Sequence, residues 1–158
     1  MKKEKKQEFI LRITRANKTQ MIVILYDMVL VYLEDALENH EQGNLKDYRW
    51  NIDRAKECID ELLNSLHTEY EPAGILKGLY YFYKRQLTTA AIQNIKEMVT
   101  PIMEMIQELK ESYEKVSMED TSAPIMENAQ TVYAGLTYSK DSLNVDLSDQ
   151  GTKRGFCV

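Results

Sequence analysis

Histidine, cysteine and paired carboxylates are the side chains from which a helical protein most readily builds a reactive centre. Of the first two this chain has only His40, His67, Cys58 and Cys157. A di-iron site in a helical bundle needs Glu-x-x-His on two helices, yet Leu37 stands three residues before His40 and Asn64 three before His67. Those two residues exclude it. The cysteines lie far apart in dissimilar settings with no CxxC spacing, which argues against a zinc site or a disulfide framework. There is no HExxH, no G-x-S-x-G and no glycine-rich phosphate loop. Both histidines fall at expected helix ends, where an imidazolium is favoured by the helix dipole rather than poised as a base. The expectation is therefore a protein without catalytic residues, metal or cofactor, and so not an enzyme.

Binding chemistry is better represented. Met21 to Leu33 reads MIVILYDMVLVYL, apolar or aromatic throughout except Asp27. A surface helix uses an apolar stripe about 100° wide, with hydrophobes at i, i+3, i+4 and i+7. This run is greasy nearly all the way round, so more than one packing neighbour must cover it. It is too short for a bilayer, which takes about 20 residues, and Asp27 would sit at its centre. That carboxylate is either solvated or partly buried against a Lys or Arg. Tyr80-Tyr81-Phe82-Tyr83 is a second surplus, with rings on every side of a helix. Taken singly, Leu25, Val29 or Leu79 reads as core. Together the excess has three available covers: the chain's own ends, a second copy, or a client helix. Left bare it would aggregate.

The elements that must carry these residues are helical. The chain has 158 residues, three prolines and six glycines, and is rich in Leu, Ile, Met, Glu, Lys and Gln. That suits one all-α domain large enough to bury a core without a staple. A net charge of -5 gives no concentrated basic surface for nucleic acid, since the basic clusters sit only at the two ends. Lys2, Lys3, Lys5 and Lys6 followed by the apolar run imitate a secretory signal. The imitation fails, because Asp27 interrupts the run and Glu34-Asp35 follows where a cleavage site would lie. A reducing cytoplasm without membrane insertion fits best.

Spacing and caps place four helices. Asn17 and Gln20 form a capping box for a helix running to Glu41 or Gln42, which Gly43 ends. Asn44 caps the next, with apolar positions from Leu45 to Leu66 at three- and four-residue spacing. HTEYEPAG supplies a turn that puts Pro72 in the first turn of a third helix, fading near Asn94. The fourth starts near Asn94 or at Thr100-Pro101. Short connections imply an antiparallel up-and-down four-helix bundle spanning 1–117, with an N-terminal segment ahead of it. Beyond it, 118–158 reads as a loosely docked irregular tail, with one short helix around Ile125 to Tyr133.

These residues resemble one family. Leu25-Tyr26-Asp27 is similar to the LYD signature in the first bundle helix of the flagellin-specific flagellar export chaperones, the FliS family. Ile52-x-x-Ala55 and Glu61-Leu62-x-x-Ser65-Leu66 resemble that family's I-x-K-A and E-L-x-x-S-L patterns. Leu79-Tyr80-x-Phe82 with Leu87 resembles L-Y-x-Y-M and its following leucine, and Glu108 to Tyr113 resembles the closing E-L-R-x-x-W. The resemblance covers about residues 9 to 117. It implies a cytoplasmic chaperone that binds the C-terminal segment of flagellin, blocks premature polymerisation and serves type III export, with contact to the export gate. The recognition mode it implies is a helix in an apolar groove. Candidate groove residues are Leu25, Tyr26, Val29, Ile52, Ala55, Ile59, Leu62, Leu79, Tyr80 and Phe82. Phe9, Ile10, Leu11 and Ile13 are suited to cover that groove, as the segment before the first bundle helix does in the family. The alternative is a self-associating bundle whose surplus apolar face makes a homodimer.

This chain also departs from the pattern. Arg15-Ala16-Asn17-Lys18 replaces T-A-S-P, keeping the cap but losing the proline. Phe9 is the ring nearest to the family's N-terminal tyrosine, one position off, and Ala91 stands where the family has Asn. The ending Lys153 to Val158 has no counterpart.

Overall fold

The computed structural model describes residues 1–67 and 71–126. Its helices are α1 (Lys3–Arg15), α2 (Lys18–Glu41), α3 (Leu45–Ser65), α4 (Glu71–Gln93) and α5 (Val99–Glu119), with a 3-10 turn at Lys96–Met98. No strand occurs among the described residues. Residues 1–125 form one compact unit, an all-α bundle.

Local chemistry sets most of the boundaries. The Asn17 side chain accepts from the Gln20 backbone N–H at 2.8 Å, and the Asn17 N–H donates to the Gln20 side chain at 3.0 Å, the reciprocal box read from sequence. Gly43 takes φ 75, a left-handed turn that a Cβ would strain. Asn44 then accepts from the Asp47 N–H at 3.3 Å and opens α3. Pro72 lies in the first turn of α4, and Asn94 ends that helix region at φ 56.

The start of α5 differs from both alternatives. It begins at Val99, behind the 3-10 turn, and Thr100 does not act as cap. Pro101 is thus the third helical residue, where the N–H would have no intrahelical partner, so it neither kinks nor breaks the helix. At the other end α5 reaches Glu119, two residues past the expected boundary. Ile125 is not helical. The remainder of the short helix expected around it, and the tail beyond, lie outside the described residues apart from Met126.

Among the described residues a fifth helix stands beyond the four expected from the sequence. The N-terminal covering segment is itself helical as α1, although Lys2 makes no side-chain cap and the first turns carry lysines that oppose the helix dipole. Its start is poorly signalled, but Arg12 and Arg15 in the last turn suit the dipole, and packing of Phe9 and Ile13 on α2 supplies the rest of the stabilisation.

The apolar run of α2 is explained by three neighbours. Tyr26, Val29, Leu33 and Ala36 enter the central core. Ile24, Met28 and Val31 lie in the cluster under α1, and Leu30 and Leu37 border α5. A helix in contact with α1, α3 and α5 has hardly any solvent face left, so it shows no clean stripe.

Four tyrosines meet inside the bundle. Tyr26 and Tyr80 share a hydrogen bond between hydroxyls, and the Tyr26 ring lies 5.7 Å from Tyr113 while Tyr80 lies 6.4 Å from Tyr83. Burial, reinforced by the neighbouring phenols, pushes the Tyr26 hydroxyl far above its usual range; burial also pushes the Tyr80 hydroxyl up to about 12, against the opposing hydrogen bond with Tyr26. Both stay neutral and act only as partners for each other. Replacing Tyr80 by Phe should therefore cost about 1–3 kcal/mol by orphaning the Tyr26 hydroxyl, whereas the double Tyr26→Phe/Tyr80→Phe variant should recover part of it. Urea unfolding of the two variants checks this.

Candidate functional site

The site is built on α2. Against it α1 packs with one fully seated side chain, Phe9, in contact with Ala16 and Ile24; Met1, Ile13, Met21, Met28 and Val31 complete the cluster. Two expected cover residues point elsewhere, since Ile10 is 42% exposed and Leu11 53%. On a helix, Phe9 and Ile13 share a face that neighbouring positions cannot join, so only they can cover.

Asp27 fastens this cover. The Arg12 Nη2 of α1 donates to Asp27 Oδ2 at 2.5 Å, and Lys110 Nζ of α5 lies 2.6 Å from Oδ1. One carboxylate, 18% exposed, thus joins three helices. Arg12 also sits over the Phe9 ring, 5.4 Å from its centroid. Burial pulls the Lys110 ammonium down, but Asp27 and then Glu114 outweigh it and the net shift is upward. Of the two roles open to Asp27 in the sequence, the paired one holds.

Beyond α5 the chain crosses the α1–α2 junction. Asn17 Nδ2 donates to the carbonyls of Asp120 at 3.2 Å and Ser122 at 3.4 Å, and the Ile125 N–H donates to the Ala16 carbonyl at 2.9 Å. Thr19 donates its hydroxyl proton to the Asp120 carboxylate. Hydrogen bonds from Ser122 and Thr19 hold that carboxyl down at about 2. A carboxyl depressed in the folded state contributes above its unfolded value, near 4, and the contribution is lost as pH falls toward 2. The strap should therefore loosen between about pH 4 and 2. NMR amide exchange at Ser122 and Ile125 should show this while α3 stays protected.

Two surface grooves flank α2. One, of about 370 Å³, is lined by Arg12, Arg15, Gln20, Val23, Ile24 and Ser117. The other, of about 420 Å³, lies between α2 and α5. Leu30, Leu37 and Met103 make its apolar surface, with Glu34, Glu104 and Gln107 among the polar residues. That arrangement suits an amphipathic helix whose apolar stripe is bordered by basic or polar residues.

The candidate groove residues divide sharply. Tyr26, Val29, Ile52, Ala55, Ile59, Leu62 and Tyr80 are at most 1% exposed and form the central core, so in this conformation they offer no surface to a client. Leu25, Leu79 and Phe82 are half-buried against that core. Core positions dominate a sequence signature because packing constrains them most. The apolar residues that line the α2–α5 groove, Leu30, Leu37 and Met103, are not among those candidates. A signal existed for the first two, seven residues apart with Glu34 between them, as on one helix face. Outside this region, His40 bonds through Nε2 to the Asn94 carbonyl at 3.0 Å, tying the ends of α2 and α4. No described helix is long and apolar enough to cross a membrane.

Comparison with known proteins agrees with this architecture. The sequence profile of the family described as "Flagellar protein FliS" matches residues 1–120, which takes in α1 to α5 whole. No curated relative matches the chain. With three quarters of its length under that one profile, the chain belongs to the FliS family of flagellar export chaperones.

Proposed function

We propose that this chaperone binds the C-terminal helical segment of flagellin on the apolar surfaces beside α2, with α1 as the cover that yields to the client. Bound there, the segment is withheld from the helix packing that builds a filament. The client stays in the cytoplasm in a form that type III export and its gate can accept. No chemistry is needed, only occupancy of an apolar face.

The observation that carries this reading is the way α1 is held. One fully buried ring, Phe9, the shared Asp27 carboxylate and, just ahead of the helix, the ion pair of the Met1 ammonium with Asp35 at 2.6 Å fix it over Ile24, Met28 and Val31. Burying one Phe is worth roughly 1.5–3 kcal/mol. An incoming amphipathic helix with several apolar anchors exceeds that. The α2–α5 groove offers such a helix the partly buried Leu37 and Met103, with the core residue Leu30 at its floor.

Met103→Glu tests the groove. Met103 is only partly buried, so the variant should keep its helical circular dichroism spectrum and a cooperative melt. Its affinity for a flagellin C-terminal peptide should fall at least about tenfold, or 1.4 kcal/mol. Unchanged affinity would remove this groove from the client path. A wild-type mass that doubles with concentration in light scattering, together with no peptide binding, would favour the homodimer.

A further inference from the structure

The outward side of α1 has no role in covering α2. Arg12 and Arg15 face α2, but Lys2, Lys3, Lys5 and Lys6 gather four positive charges against Glu4 and Glu8 at the other end of the segment, on a chain whose net charge is -5. Lys2, Lys3, Lys5 and Lys6 are all exposed, and none belongs to an ion pair among the described residues. They crowd the N-terminal end of the helix, where cations oppose the dipole, and no side-chain cap compensates. Stability does not explain that placement. Next to them Ile10 and Leu11 stand out into solvent, although Phe9 and Ile13 on the inner face already supply the contact with α2.

We propose that α1, while docked on α2, lays this outer face on an anionic lipid surface and holds the protein peripherally against a membrane. Lys3, Lys6 and Ile10 recur at three- and four-residue spacing, so ammonium groups and an apolar side chain share one side of the helix. Leu11 flanks them one position round. Clustered lysines on an amphipathic helix are attracted by the negative surface potential of a bilayer, and one or two apolar residues seated at the headgroup boundary add a short-range component. The basic residues at this end are all lysine, with flexible stems and compact charges. Such point charges need no fixed geometry from the anions they meet, and a fluid array of lipid phosphates offers none. No helix needs to insert or leave the bundle, and none of those described is long and apolar enough to span a bilayer. The flagellin reading is not required for this contact.

Co-sedimentation of the full chain with vesicles tests the proposal. Vesicles of phosphatidylcholine mixed with phosphatidylglycerol should pull the protein down at low salt, and phosphatidylcholine alone should not. Raising ionic strength should release it. The Lys2→Gln/Lys3→Gln/Lys5→Gln/Lys6→Gln variant should bind anionic vesicles at least about tenfold more weakly. Because it removes charges that oppose the dipole, its helix content should be retained, so that loss cannot be assigned to unfolding. Ile10→Ser/Leu11→Ser should weaken binding several-fold and leave the melt unchanged. Equal binding to both kinds of vesicle, or full binding by the lysine variant, would overturn the proposal. So would binding to soluble polyglutamate as tight as to vesicles and insensitive to Ile10→Ser/Leu11→Ser, which would assign the patch to an acidic protein.

Discussion

Asp27→Ala should release α1 and raise the affinity for client peptide. The substitution removes the acceptor shared by Arg12 and Lys110, leaving Lys110 with Glu114 at 3.5 Å and Arg12 with the Phe9 ring. Breaking a fully buried ion pair costs about 3–5 kcal/mol. This one is 18% exposed at the carboxylate, so about 1–3 kcal/mol is expected, most of it in the docking of α1. Hydrogen exchange should then show fast amides from Lys3 to Arg15 and unchanged protection in α3. A cover that is closed most of the time lowers the apparent affinity by its open fraction, so freeing it should strengthen binding up to about tenfold. Protection of α1 equal to that of the wild type would refute the role given to Asp27. Phe9→Ala should act in the same direction through lost burial, without touching the charges.

The second large effect concerns the core. Ile59 of α3 is completely buried, at the centre of the cluster that includes Tyr26, Val29, Leu62 and Leu87. Ile59→Ala removes methyl groups from a packed interior and should cost about 2–5 kcal/mol, of a total stability of about 5–15 kcal/mol. The melting temperature should drop by about 5–20 °C, read by circular dichroism. Ile92, 71% exposed, serves as the control, since its replacement by Ala should stay within about 0.5 kcal/mol. If Ile59 were a client contact, Ile59→Ala would leave the melt unchanged and lower binding instead. Burial argues for the opposite result.

Much of the architecture is legible in the chain because caps and turns are local. Asn17 with Gln20, Gly43 and Asn44 act within a few residues of their own positions, so their sequence pattern and their geometry coincide. Three features are not announced by the residues at their own positions. α1 has poor helix-start chemistry and is held by Ile24 and Asp27 of another helix. The start of α5 is set by the 3-10 turn at Lys96–Met98, which no single residue announces. The apolar excess of α2 is covered by α1, α3 and α5, none of which its own residues specify.

The candidate groove was less legible. A family signature weights the side chains that packing constrains, and Tyr26, Ile52 and Tyr80 are of that kind. Groove positions such as Met103 are half-buried methionines that look like any other flank of a bundle helix. Asp27 shows the same limit from the other side. Its neighbours in sequence are apolar, and its partners come from helices on either side of it.

Titration calorimetry of the wild-type chain with a peptide from the C-terminus of flagellin tests the central claim most directly. Heat is expected with a dissociation constant between nanomolar and micromolar, a range consistent with a helix seated in an apolar groove. A co-eluting complex on a sizing column should accompany it. A titration without heat, and a peptide that elutes apart from the protein, would contradict the flagellin-chaperone account.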